Sequence, residues 1–142
     1  MKKINSAKIT FPSLSVNEGM ARSFLTAFMM QLNPTVEEIS DLKCAVSEAV
    51  TNSIVHGYKG KVGSITLTLD ILDGGTVRAV ISDRGEGIAD VKRATEPLFT
   101  TNTDGERSGM GFTVMETFTD KMKVRSRLGH GTKVTLTKKI GI

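Results

Sequence analysis

Ile65-Thr66-Leu67-Thr68-Leu69-Asp70-Ile71-Leu72-Asp73-Gly74-Gly75-Thr76-Val77-Arg78-Ala79-Val80-Ile81-Ser82-Asp83-Arg84-Gly85-Glu86-Gly87 occupies the middle of a 142-residue chain. Apolar and polar side chains alternate from Ile65 to Leu69, the two-residue period of a strand with one buried face. Asp73-Gly74-Gly75 supplies residues that tolerate a tight turn, and Val77 to Ile81 reads as the returning strand. An acidic residue and a glycine-rich loop, Asp83-Arg84-Gly85-Glu86-Gly87, follow that strand directly.

Upstream of the hairpin the period is helical. Ser15-Val16-Asn17-Glu18 has the spacing of a capping box and opens a helix to about Leu32. Thr35-Val36-Glu37-Glu38 repeats the signature after Pro34. The helix it starts carries Ile39, Leu42, Val46, Ala49, Val50 and Ile54 at intervals of three and four, and Gly57 is its natural terminator. Ala7 to Phe11 alternates as a short first strand. Downstream, a weakly patterned segment runs to Ser108, and Gly109 to Phe118 predicts a short helix. Lys121 to Arg127 and Thr132 to Lys138 predict a last hairpin, turned at Gly129-His130-Gly131. This order predicts an α+β fold: a two-layer α/β sandwich with a mixed, mostly antiparallel sheet and helices on one face.

Length predicts a single domain over residues 1–142. Hydrophobic residues at 39% and charged residues at 24% exclude a disordered chain. No apolar run approaches the roughly 20 residues of a membrane span. Met1-Lys2-Lys3-Ile4-Asn5 has no apolar stretch behind its lysines, so a cytoplasmic protein without a membrane partner is expected. The net charge of +4 is spread from Lys2 to Lys139, and with no tryptophan and one tyrosine the composition argues against direct nucleic-acid binding. A single cysteine, Cys44, excludes an internal disulfide, and its apolar helical context predicts a buried thiol. Met20, Met29, Met30, Met110 and Met115 fall at helical positions and read as core or dimer contacts.

Three places carry residues suited to chemistry. Glu48, Asn52 and His56 recur every four residues and so share one helical stripe. A solvated polar face is the ordinary reading. Asn52, a poor helix-interior residue set among Ala49, Val50 and Ile54, points instead to a carboxylate–carboxamide pair able to activate a hydroxyl and ligate a hard metal ion. His56, beside the terminating glycine, reads as structural, and His130 as a turn residue. Asp83 suits an exocyclic amine, and the glycines beyond it would let a flat ligand approach the backbone; an ordinary turn also looks like this. In Arg107-Ser108-Gly109-Met110-Gly111-Phe112, two glycines at a helix start leave amides for an anion. Neither a Walker A loop nor a dinucleotide fingerprint is present. Thr95 to Ser108 is long enough for a lid.

Glu48-x-x-x-Asn52, Asp83-x-Gly85-x-Gly87 and Gly109-x-Gly111, in this order, resemble the N, G1 and G2 boxes of the histidine-kinase-like ATPase superfamily. The stretches from Ser47 to Tyr58, Pro97 to Thr101 and Glu106 to Phe112 are similar to the anti-sigma-F factors of spore-forming bacteria, small serine protein kinases that also hold a sigma factor inactive. The resemblance implies that Glu48 is the catalytic base and that Asn52 ligates Mg²⁺ beside ATP. It implies an adenine contact at Asp83, support through water from Thr132, and a base pocket at Gly85 and Gly87. Arg107 maps onto a γ-phosphate contact, and Gly109 and Gly111 onto phosphate amides. Further nucleotide contacts map to Ile88, Thr100, Thr101, Ser108, Met110 and Phe112, with an ATP lid at about residues 95–108. Arg22 matches an arginine of the partner surface. The implied partners are a sporulation sigma factor, an anti-anti-sigma protein phosphorylated on serine, and a second copy in a homodimer. A nucleotide-gated binding module with negligible kinase turnover and a general-stress anti-sigma kinase are the competing readings.

Overall fold

The alternation read in residues 65–81 becomes the centre of a sheet. In a computed structural model describing residues 2–96 and 111–141, β2 (Ser64–Leu72) and β3 (Thr76–Asp83) pair antiparallel, Leu67 opposite Ile81 and Leu69 opposite Ala79. β1 (Lys3–Pro12) borders β2, and β5 (Thr132–Lys139) lies between β3 and the edge strand β4 (Lys121–Ser126). The order is β1-β2-β3-β5-β4, and all four pairings are antiparallel. The sheet of the described residues is therefore uniform where a mixed, mostly antiparallel one was expected. β1 is longer than Ala7–Phe11 because its exposed first residues, Lys3 to Ser6, are held by the ladder to β2 and not by burial.

Helices α1 (Val16–Met29) and α2 (Val36–Asn52) cover one face. Ile65, Leu67, Leu69, Val77, Ala79, Ile81 and Leu136 point into the layer between sheet and helices, all buried. They meet Ala21, Leu25 and Met29 of α1, and Leu42, Val46 and Val50 of α2. Short helices α3 (Val91–Ala94) and α4 (Gly111–Thr117) complete the layer, with Met115 of α4 fully buried.

The two capping signatures diverge. Thr35 has extended backbone, its hydroxyl accepts from Glu38 N–H at 3.0 Å, and Glu38 returns the bond to Thr35 N–H at 2.8 Å. Ser15 does not cap α1. Its backbone is already helical (φ −54°, ψ −35°), so its hydroxyl cannot fold back onto the first turn. Glu18 pairs instead with Arg22 along the helix, and Asn17 Nδ2 donates to Pro12 O at 2.9 Å.

Cys44 is exposed, against expectation. Leu42, Ala45, Val46 and Ala49 form the buried stripe, and two residues from Leu42 is about 200° around the helix, its far side. Met29 and Met115 are core residues, whereas Met20 and Met30 are exposed; Met110 lies outside the described residues. Among the described residues no helix is long and apolar enough to cross a membrane.

Candidate functional site

Glu48 and Asn52 stand one turn apart on α2, both half-buried. α4 starts against them. A Cβ added at Gly111 would lie 3.1 Å from Asn52 Nδ2, 3.3 Å from Asn52 Oδ1 and 3.3 Å from Glu48 Oε2. The stripe is therefore no solvated face: it is the floor on which the α4 start rests, and any side chain at position 111 would press on both polar groups. The contact joins positions more than fifty residues apart in the chain.

After Asn52 the helix loosens into a π-turn, Ser53–Gly57. The extra residue per turn brings Ser53 onto Asp83 at the end of β3, and the serine hydroxyl donates to Asp83 Oδ2 at 2.6 Å. Asp83 Oδ1 accepts from Gly85 N–H at 2.9 Å and from Thr132 N–H at 3.2 Å. Asp83 and Ser53 are both buried. The carboxylate is thus fixed by three donors from three separate segments. Gly57 closes over it, since a Cβ there would sit 3.3 Å from Asp83 Oδ2. His56 is half-buried within the π-turn.

The glycines of the loop after β3 have a cause within the chain itself. A Cβ on Gly85 would overlap the Gly57 carbonyl, and one on Gly87 (φ 81°) would overlap the Arg127 carbonyl. Glu86 N–H donates to Gly57 O at 2.7 Å, and Gly129 N–H donates to Glu86 O at 2.6 Å. The loop is stitched to the π-turn on one side and to the β4–β5 turn on the other. Lys59 adds an ion pair to Glu86 at 2.9 Å. Ile88 N–H donates to Ser126 Oγ at 2.7 Å, and Ser126 shares a hydrogen bond with Thr132 Oγ1 at 2.8 Å. Phe112 is half-buried and packs on the core.

Glu48, Asn52 and Gly111 are thereby brought together on one side of the π-turn, and Asp83, Gly85, Gly87, Ile88 and Thr132 on the other. Arg22 lies apart on α1. Thr100, Thr101, Arg107, Ser108, Gly109 and Met110 lie outside the described residues, as does all of the proposed lid beyond Glu96. Three further residues belong to the arrangement without having been singled out in the sequence: Ser53, Ser126 and Tyr58. Tyr58 Oη accepts from Arg84 N–H at 2.8 Å and so ties the π-turn to the Asp83 loop. Ser53 had one legible signal, its place directly after Asn52.

Among the described residues no three His, Cys, Asp or Glu side chains cluster to hold a metal by themselves. The Asn52 carboxamide oxygen is a hard donor of the kind Mg²⁺ accepts, and Mg²⁺ ordinarily takes one or two protein oxygens and completes its shell with phosphates and water. The donor set fits that mode and not a dedicated protein cage.

Residues 11–138 match the family model described as a histidine kinase-like ATPase domain. The chain is 50% identical over 141 residues to an anti-sigma F factor of Thermoanaerobacter sp. strain X514, covering 99% of this chain and 98% of the relative. It is 52% identical over the same length to an anti-sigma F factor of Caldanaerobacter subterraneus subsp. tengcongensis, with the same coverage of both. Among solved structures, the RsbU and RsbW domains of a Mycobacterium tuberculosis protein superpose with a TM-score of 0.71 at 23% identity, over 96% of this chain and 33% of that one. The nucleotide-free catalytic domain of the histidine kinase ThkA gives a TM-score of 0.61 at 16% identity, over 96% and 97%; at such identities the likeness is one of fold. With a family model matched over residues 11–138 and half of its residues shared along the full length of those relatives, the chain belongs to the histidine kinase-like ATPase family, on the branch of the anti-sigma F factors.

Proposed function

We propose that the chain is an ATP-dependent anti-sigma factor: a single domain over residues 1–142 that binds and silences a sporulation sigma factor and phosphorylates an anti-anti-sigma protein on serine. The observation that carries this reading is the convergence of Glu48 and Asn52 on Gly111, a base and a hard-metal donor at one helix start. ATP with Mg²⁺ supplies the γ-phosphoryl group and neutralises its charge. Phosphoryl transfer then asks the protein mainly for positioning and for one base near the acceptor. Glu48 takes the proton from the acceptor serine, and Asn52 offers its carboxamide oxygen to the metal. Asp83, held by Ser53, Gly85 and Thr132, presents its remaining acceptor capacity to the adenine amine, while Gly85, Gly87 and Ile88 bound the base. The roles proposed for the residues of the third box and the lid are phosphate amides at Gly109 and Gly111, a γ-phosphate contact at Arg107, and a lid at about residues 95–108 that makes partner choice depend on the nucleotide. Arg22, exposed on α1, belongs to the partner surface, and the working form is a homodimer in the cytoplasm.

Incubation with Mg-ATP and candidate anti-anti-sigma proteins, followed by mapping of any phosphoserine, tests the reading. Glu48→Gln keeps the shape and removes the base, so ATP binding persists while transfer falls by on the order of 10²–10⁴. Near-normal transfer by this variant would remove Glu48 from the mechanism. Sigma binding without any transfer by the wild type would leave a nucleotide-gated binding module.

A further inference from the structure

The face of the sheet turned away from the helices has a charge pattern that the nucleotide site does not use. Alternating with the half-buried positions of β4 are the exposed Lys121, Lys123 and Arg125, and Lys133 of β5 stands directly across from Arg125. At this end of the sheet a groove of about 620 Å³ opens on that face. Arg84, Arg125, Arg127 and Lys133 line it, all exposed, with the hydroxyls of Ser64, Thr66 and Ser82 between them. Asp83 also reaches the groove wall, but it is buried and its carboxylate is held by donors from Ser53, Gly85 and Thr132. Among the described residues none of the four cations makes an ion pair. By contrast, Arg78 on the same face is neutralised by Asp70 at 2.9 Å.

Like charges placed directly across a ladder are destabilising, so Arg125 opposite Lys133 is a feature the fold tolerates and does not need. Protection of an exposed edge accounts for cations on β4. It does not account for Lys133 on the interior strand β5, nor for Arg84 beyond β3. We propose that this groove is a docking site for an extended, carboxylate-rich segment of a protein partner. Three of its four cations are arginines, whose planar forks match carboxylates two bonds at a time. Interleaved hydroxyls supply further donors. No Phe, Tyr or Trp lines the groove and His130 is its single ring, so the row of stacking rings that single-stranded nucleic acid uses is missing. A sheet face also presents no helix or ribbon to enter a duplex groove. Asp83, Ser126 and Thr132 form a wall shared with the nucleotide pocket, and the four cations lie on the groove's side of it. The groove is remote from Arg22, since α1 covers the other face of the sheet. The proposal stands or falls independently of the kinase reading.

A fluorescein-labelled peptide of about twelve residues alternating Glu and Ser, titrated at low salt and followed by anisotropy, tests it. The double variant Arg125→Gln/Lys133→Gln is expected to weaken the peptide at least about fivefold, against less than about twofold for Lys2→Gln/Lys61→Gln, which removes the same charge elsewhere. Amide shifts on peptide addition should concentrate at Thr66, Ser82 and Lys133, and ATP affinity should not change in the groove variant. Equal losses from the two double variants, shifts centred elsewhere, or no saturable binding by the wild type would overturn the proposal. Tighter binding of a single-stranded oligonucleotide of matched charge, lost in the groove variant, would overturn it in favour of a nucleic-acid surface.

Discussion

Asp83 is oriented by the protein before any ligand is considered. Its two oxygens take a hydroxyl from the π-turn and backbone amides from its own loop and from β5. With Asp83 proposed as the adenine contact, Asp83→Asn should weaken ATP by roughly 1.5–3 kcal/mol, the range for a hydrogen bond to a charged group. Ser53→Ala removes one orienting donor and leaves two, so its loss should be nearer 1 kcal/mol. GTP, with a carbonyl where ATP has an amine, should bind the wild type poorly. Calorimetric titration of both variants with both nucleotides checks this; equal affinity of the wild type for ATP and GTP would contradict the assignment. The acidic residue at a strand end was legible from the sequence. Ser53 as its partner was not, because the contact spans thirty positions and depends on a π-turn that no local pattern announces. Gly85 and Gly87 were recognised as a loop motif, yet what forbids a side chain there is the Gly57 and Arg127 backbone.

At the level of elements, two identical-looking signatures have different outcomes. Thr35-x-x-Glu38 forms its capping box and Ser15-x-x-Glu18 does not. Thr35→Ala should therefore cost about 0.5–2 kcal/mol in urea unfolding, the usual worth of a lost N-cap, whereas Ser15→Ala should leave the midpoint nearly unchanged. A substantial loss from Ser15→Ala would contradict the helical backbone seen there. A capping box needs its first residue extended, and the chain's exit from β1 decides that. Leu14 N–H donates to Pro12 O at 2.8 Å and Asn17 N–H to Leu14 O at 2.9 Å, so the turn is already closed when Ser15 is reached. Cys44 teaches the same lesson in α2: apolar neighbours in sequence are not neighbours on the helix surface.

For the whole molecule, two carboxylates tie distant segments together and set its behaviour in acid. Burial pushes the Asp70 carboxyl up, but hydrogen bonds from Ser6 and Arg78, with the charges of Arg78 and Lys3, outweigh it and hold the group below the ordinary aspartate range. Backbone N–H groups of Thr35 and Gly141 hold Glu38 below its ordinary value, against a smaller opposing effect of burial. A group whose pKa is lower folded than unfolded stabilises the fold above its unfolded value and loses that contribution as pH falls through the folded one. Thermal unfolding should therefore stay level from neutral pH down to about pH 5, then fall below about pH 4.5. Asp70→Asn and Glu38→Gln should lower the midpoint at neutral pH and flatten the acid limb; an unchanged limb in both would assign the acid loss to other carboxylates. By itself the sequence determined the central hairpin, helix α2 and the order of the three boxes, because strand alternation, helical stripes and turn glycines are properties of neighbours along the chain. The tertiary structure alone decided that Glu48 and Asn52 meet Gly111, that Ser53 holds Asp83, and that Arg84, Arg125, Arg127 and Lys133 share one groove. Each of these depends on which segments pair and in what register, and registry between distant strands is set by the packing of the whole core and not by any local period.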